Sequence, residues 1–171
     1  MKKVFTLIFV ALIGFGFNAQ AQYEKGQIDA NVGIGLLATF GAGKAQIPPI
    51  SLALDFGITD NISLGGYFGY STFKEEIMTY SWNYTYMIIG ARGAYHFDLV
   101  DNMDTYAGLL LAYNLASVKL EGGSGLPEPE VGGIAYSGFL GARYHFNEKF
   151  GVFGELGYGI SVLNLGLTVK L

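Results

Sequence analysis

The chain has 171 residues, 51% hydrophobic and only 14% charged, with a formal net charge of −4 and no cysteine. A soluble domain usually carries about 25% charged residues, so this composition does not suit a surface bathed in water. Lack of cysteine excludes disulfides, thiolate catalysis, cysteine metal sites and a lipoprotein anchor, and an acidic chain without basic clusters excludes nucleic acid as a partner.

The chain begins with Lys2 and Lys3, then an almost unbroken apolar run from Val4 to Phe17, then Ala19-Gln20-Ala21. A short positive region, an apolar stretch and a small-x-small site form a secretory signal peptide over residues 1–21, cleaved after Ala21. The apolar run is shorter than the roughly 20 residues of a spanning helix. Residues 22–171 are then expected as one domain, with a formal charge of −6 and 24 glycines. No apolar run in it reaches the roughly 18 residues of a membrane helix, and abundant glycine opposes helices. Strands with one face toward lipid and a polar or small inner face reconcile these facts.

Alternate residues of a strand share a face. Ile28, Ala30, Val32, Ile34 and Leu36 oppose Asp29, Asn31, Gly33 and Gly35. Ile50, Leu52, Leu54, Phe56 and Ile58 oppose Ser51, Ala53, Asp55 and Gly57. After a polar turn at Thr59-Asp60-Asn61, a third strand sets Ile62, Leu64 and Phe68 against Ser63, Gly65 and Tyr67. The fourth, to Phe97, sets Met87, Ile89, Tyr95 and Phe97 against Gly90, Arg92, Ala94 and His96. A turn over Asp98–Asp104 precedes a fifth strand whose outer face is Ala107, Leu109, Leu111, Tyr113 and Leu115. The sixth carries Tyr136, Leu140, Tyr144 and Phe146 against Phe139, Arg143 and His145. Beyond Asn147-Glu148-Lys149, the seventh sets Phe150, Val152, Leu156, Tyr158 and Ile160 against Phe153 and Glu155. The eighth sets Leu165, Leu167, Val169 and Leu171 against Gly166, Thr168 and Lys170.

Eight strands with alternating connections predict an all-β, antiparallel, up-and-down transmembrane barrel. The segments Ala38–Pro49, Thr72–Asn83 and Val118–Gly133 are expected as long irregular outer loops, and the connection at Ser161–Leu163 as a tight one. Outward tyrosines at 70, 113 and 158 mark an upper aromatic girdle, and Tyr95, Phe97, Tyr144, Phe146 and Phe150 a lower one. Such bands suit the two membrane interfaces. Gly90-Ala91-Arg92 with Tyr95-His96-Phe97 echoes Gly141-Ala142-Arg143 with Tyr144-His145-Phe146 as a weak internal repeat.

With its signal peptide, eight alternating strands and closing segment Leu165–Leu171, the chain resembles the small outer-membrane β-barrel family that includes OmpX and the OmpA transmembrane domain. The closing segment looks like that family's signal for the barrel assembly machinery, with Leu171 where phenylalanine is common. The resemblance implies a bacterial outer-membrane location, surrounded by lipid and lipopolysaccharide. It leaves activity open, because the family includes adhesins, anchors, channels and a few enzymes.

Asp29, Asp55, Arg92, Arg143, Glu155 and Lys170 share the inner parity. An eight-stranded barrel is only wide enough for side chains to fill, so these charges are expected to form an ion-pair network that plugs the lumen. Arg143 and Glu155 are expected directly or diagonally opposite across the sixth and seventh strands. His96 and His145 read as repeat-motif residues of the lower rim rather than a metal site or general base. The outer-membrane lipid A enzymes of this fold resemble one another in carrying a histidine near the outer leaflet, where this chain has none. No catalytic, cofactor or metal residues are assigned. Glu128 and Glu130 lack calcium-loop spacing, and the glycine runs lack a phosphate-binding pattern. The function expected is a structural or interaction barrel without enzymatic activity, its outer loops facing an unnamed partner. The alternatives are a narrow OmpW-like channel for small or apolar solutes, a soluble calycin-like carrier with the faces reversed, and a lipid-modifying enzyme.

Overall fold

A computed structural model describes residues 23–41, 43–77, 80–100, 103–121 and 130–171. The proposed signal peptide, with Ala19 and Ala21, lies outside these residues, as do residues 122–129, most of the acidic segment Glu121–Gly133. The eight strands are β1 (Ile28–Ala38), β2 (Lys44–Gly57), β3 (Ile62–Ile77), β4 (Tyr80–Val100), β5 (Met103–Glu121), β6 (Glu130–His145), β7 (Phe150–Gly157) and β8 (Ser161–Lys170). Each pairs with the next, and β8 pairs antiparallel with β1 to close the barrel. Closure removes the sheet edges over the span that all eight strands share, which is how strands cross a bilayer with their backbone groups satisfied.

The alternation read from the sequence decides which face looks out. On β5, Leu109 is 73% exposed and Leu111 61%, while Leu110 between them is 7% exposed. Val32, Ile34, Leu64, Ile89, Leu140 and Leu167 are likewise exposed, and Asp29, Asp55, Arg92 and Arg143 are buried. An exterior of leucine and isoleucine around a charged interior is the reverse of a soluble carrier and the form of a membrane-spanning barrel.

The turns at the end that carries the termini are built from local side chains. Thr59 Oγ1 accepts from the backbone N–H groups of Asn61 and Ile62 at 3.3 and 3.0 Å. Asn147 Oδ1 accepts from those of Lys149 and Phe150 at 2.9 and 2.8 Å. These side chains stand in for backbone acceptors and reverse the chain within a few residues.

At the opposite end the structure departs from expectation. Thr72–Asn83 and much of Ala38–Pro49 are not loops. β3 and β4 stay paired up to Ile77↔Tyr80, β2 begins at Lys44, and β5 pairs with β6 up to Ser117↔Glu130. Backbone pairing does not need an apolar face, so the β3–β4 hairpin, with its tyrosines, threonines and Trp82, continues as strand after the lipid-facing pattern stops. β4 has 21 residues, about twice the 9–11 needed to cross a bilayer. Strand β5 also starts earlier than expected, at Met103, which puts Asp104 inside the barrel rather than in a turn. The last tight connection falls at residues 158–160, ahead of Ser161. There the alternation stops, and Ile160, expected outside, is fully buried.

Lumen glycines seat rings from neighbouring strands. A Cβ at Gly33 would lie 2.8 Å from Phe153 Cζ, and one at Gly166 2.8 Å from Phe153 Cε1. Tyr106 occupies the space over Gly141 in the same way. The space left by glycine is thus the space used by an aromatic.

Two outcomes follow from this packing. Protein refolded in detergent is expected to be β-rich by circular dichroism and to shift on a denaturing gel when boiled. Gly33→Val, which drives a methyl into Phe153 and Ser51, is expected to lower stability by about 1–3 kcal/mol. Gly133→Val, where a Cβ meets nothing within 4 Å, is expected to stay within about 0.5 kcal/mol. Urea unfolding in lipid vesicles compares the two.

Candidate functional site in the barrel lumen

Ionised groups inside a narrow barrel lose most of their water, a cost of several kcal/mol per ion unless partners replace it. The lumen supplies those partners from six strands. Arg92 on β4 donates to Glu155 on β7 with both terminal nitrogens, Nη1 to Oε1 at 3.3 Å and Nη2 to Oε2 at 2.7 Å. Its Nε lies 3.0 Å from Asp55 Oδ1 on β2. Arg143 on β6 is fully buried. It donates to Asp55, to Asp104 Oδ2 at 3.0 Å and to Asn31 Oδ1 at 3.2 Å. Asp29 Oδ2 lies 3.5 Å from Arg143 Nη1. Asp55 therefore joins the two arginines.

The guanidinium faces are also covered. Arg92 lies 4.1 Å from the Phe139 ring centroid and Arg143 4.4 Å from that of Tyr106. Both contacts are cation–π interactions strengthened by loss of solvent. Tyr106 donates its hydroxyl to Glu155 Oε2 at 3.1 Å. Gln27 Nε2 donates to Asp29 Oδ2 at 2.8 Å, and Asn31 Nδ2 to Asp55 Oδ2 at 3.3 Å. Beside Arg92 and Glu155 a void of about 10 Å³ remains, at the lower limit for one water.

Nearer the terminal end, His96 joins this cluster. Its Nδ1 lies 2.7 Å from Asp104 Oδ1 and its Nε2 2.9 Å from Ser63 Oγ. Tyr23, which precedes β1, folds into the barrel mouth and stacks on the His96 ring at 3.6 Å between centroids. Backbone bonds from Gly26 N–H to Gly57 and from Gly57 N–H to Gln27 hold the Tyr23 segment there. Burial, followed by the field of Asp29, raises the Tyr23 phenol above its ordinary pKa, so it stays neutral.

Ser63, His96 and Asp104 have the connectivity of a nucleophile, a base and an orienting acid. Their surroundings are closed. Ser63 is 1% exposed, Tyr23 covers the imidazole, and the second Asp104 oxygen accepts from Arg143. The trio is a buried hydrogen-bonded chain that runs on to Arg143.

Asp29, Asp55, Arg92, Arg143 and Glu155 thus come together. Glu155 sits diagonally from Arg143, opposite Gly141, but its carboxylate goes to Arg92. Lys170 lies beside Asp29 in register, half-buried at the rim. Among the described residues no ion pair joins it to the cluster. His96 is a buried member of the cluster, not a rim residue, and His145 is buried with Nε2 3.8 Å from Asp29. Asp104, Tyr106, Ser63, Asn31 and Tyr23 were not singled out by the sequence. Continuing the β5 alternation back from Leu110 through Gly108 reaches Tyr106 and Asp104, and that signal identifies both.

The aromatic residues hold the outward parity. Tyr113, Tyr158, Tyr95, Phe97 and Phe150 are exposed, and Tyr70, Tyr144 and Phe146 half-buried. Tyr95 packs on Phe97 at 4.9 Å and Tyr144 on Phe146 at 5.7 Å.

The hairpin half of the lumen differs from the charged filling expected. Ile88, Leu110, Ala112, Ile160 and Tyr67 form an apolar layer, with Phe40 and Tyr86 packed against it. Phe40 comes from the β1–β2 connection and meets Tyr86 at 5.7 Å. Above the arginines the inner parity carries few charges, so apolar side chains gather there instead.

No family model and no curated protein sequence matches the chain. Solved structures do match. The N-terminal β-barrel domain of Pseudomonas aeruginosa OprF aligns with a TM-score of 0.58 at 13% identity, covering 86% of this chain and 98% of that one. The attachment invasion locus protein Ail of Yersinia pestis aligns at 0.51 and 11% identity, covering 85% and 95%. Neisserial surface protein A aligns at 0.53 and 17% identity, covering 84% and 91%. This chain has the fold of the small eight-stranded outer-membrane barrels.

Proposed function

We propose that this protein is a non-enzymatic outer-membrane barrel, anchored by its apolar exterior, sealed by its lumen charges, and presenting its extended hairpins for interaction outside the cell. The observation that carries the reading is Asp55 held between Arg92 and Arg143, with Asp29, Asp104 and Glu155 completing the cluster across the bore. A barrel whose bore is occupied by buried, mutually paired side chains gives no continuous water path. In this reading the signal peptide is cleaved after Ala21. The closing segment Leu165–Leu171 engages the barrel assembly machinery, and lipid and lipopolysaccharide surround the wall. Turns at the terminal end face the periplasm. A through-channel for small or apolar solutes is disfavoured by the charged plug, and an enzyme by the covered Ser63.

Planar bilayer recordings of the refolded protein are expected to show no discrete conductance steps. Steps of constant size from pure folded protein would overturn the sealed lumen. Arg143→Met is expected to cost about 3–5 kcal/mol, because it leaves three buried carboxylates facing no guanidinium or only one. Arg92→Met with Glu155→Leu is expected to recover most of what Arg92→Met loses, since both members of a pair are removed together; urea midpoints in vesicles report both. A fluorophosphonate probe is expected to leave Ser63 unlabelled. An adduct that disappears with Ser63→Ala would restore the enzyme.

A further inference from the structure

The barrel wall is incomplete in its hairpin half. β7 has only 8 residues, fewer than the 9–11 of a full crossing. Its pairing with β6 ends at Phe139↔Gly157, whereas β6 stays paired with β5 up to Glu130. Among the described residues, 130–138 of β6 therefore have a strand on one side only. The β7–β8 turn at 158–160 lies below the level they reach. Backbone N–H and C=O groups left unpaired at this level are costly wherever the wall meets acyl chains rather than water.

Behind this gap lies a cavity of about 430 Å³, within the roughly 300–1,000 Å³ range of small-ligand sites. Its inner wall is the apolar layer, with Ile88, Leu110 and Ala112 nearly fully buried. Its lips are Ile134, Tyr136 and Tyr158, 76%, 83% and 61% exposed on the outward, lipid-facing parity. Below it the Arg92–Glu155 pair closes the bore, so the cavity is blind. One polar group in the lining has no partner: Asn114 Oδ1 is buried and accepts no hydrogen bond.

We infer that this cavity takes the chain of a single-tailed amphiphile from the surrounding membrane, entering sideways between β6 and the β7–β8 turn. The opening lies at the upper aromatic girdle, where Tyr136 and Tyr158 face outward and Ile134 is paired with Tyr113, so the membrane interface, with its acyl chains and headgroups, is the phase it meets. The lining selects a hydrocarbon chain. Asn114 Oδ1 and the free β6 edge select a head that donates hydrogen bonds, such as a hydroxyl. A second copy adding a strand to β6 is the competing occupant, and it would leave the inner wall untouched.

The test uses the full mature protein in phosphatidylcholine nanodiscs with a monoacylglycerol carrying a mid-chain diazirine, and a diazirine phosphatidylcholine as reference. After irradiation, adducts are mapped by residue. Both probes are expected to label outward Leu109 and Leu111, and only the monoacylglycerol to label inward Leu110 and Ala112. Ala112→Phe and Ala135→Phe, register partners on the adjacent strands β5 and β6, fill the cavity and are expected to abolish inward labelling and leave outward labelling unchanged. Asn114→Leu is expected to reduce inward labelling about tenfold, the loss of one buried hydrogen bond. Each variant is first checked for the boiling-dependent gel shift. Outward labelling alone, or inward labelling that survives in a folded cavity-filling or Asn114→Leu variant, overturns the inference.

Discussion

Asp55 stands between two guanidiniums in a space that water scarcely reaches, and the rest of the lumen is arranged around that fact. Arg92 and Arg143 cannot be buried singly, because an unpaired charge in a low-dielectric interior costs far more than a surface ion pair returns. Each is given carboxylates from other strands, and each has an aromatic ring over its face. Four carboxylates face two guanidiniums, and Gln27, Asn31, Tyr106 and His96 supply further hydrogen-bonding groups. The cluster links strands that are far apart in sequence, and so contributes to barrel closure as well as to the plug.

The charged layer and the apolar layer above it divide the bore. Toward the termini the packing is polar and closed, with Tyr23 folded into the mouth. Toward the hairpins it is apolar and open on one side, where β7 ends early. In the proposed reading, one barrel combines a seal with a recess. The seal requires pairs whose members arrive from different strands. The recess requires a strand that stops short, so that β6 keeps one partner instead of two.

The hairpins extend the same backbone pairing past the membrane. β3, β4 and β5 run well beyond the crossing length, and their outer parts are held by ladder hydrogen bonds and cross-strand ring contacts such as Phe73 with Tyr86. Paired strands give this surface a defined shape, which a set of loose loops would lack. For the proposed interaction role this matters, since less order has to be imposed on binding.

The alternation of side chains was legible in the sequence because a strand has a period of two and lipid demands an apolar outer face. That periodicity carried the strand number, the closed architecture, the inward placement of Arg92, Arg143, Asp29, Asp55 and Glu155, and the outward placement of the aromatic residues. It also marked the turns at Thr59 and Asn147, where the side chains themselves make the turn. What it did not carry are the features that depend on neighbours across the bore. Glu155 goes to Arg92 rather than to the closer-seeming Arg143, His96 lies under Tyr23, and Ile160 turns inward. The hairpins remain strands where the apolar pattern has lapsed. Each of these is decided by which strands face one another once the barrel closes and by how far each pairing runs. A one-dimensional pattern reports the face a residue takes; the partner it meets there depends on register and stagger around the whole ring.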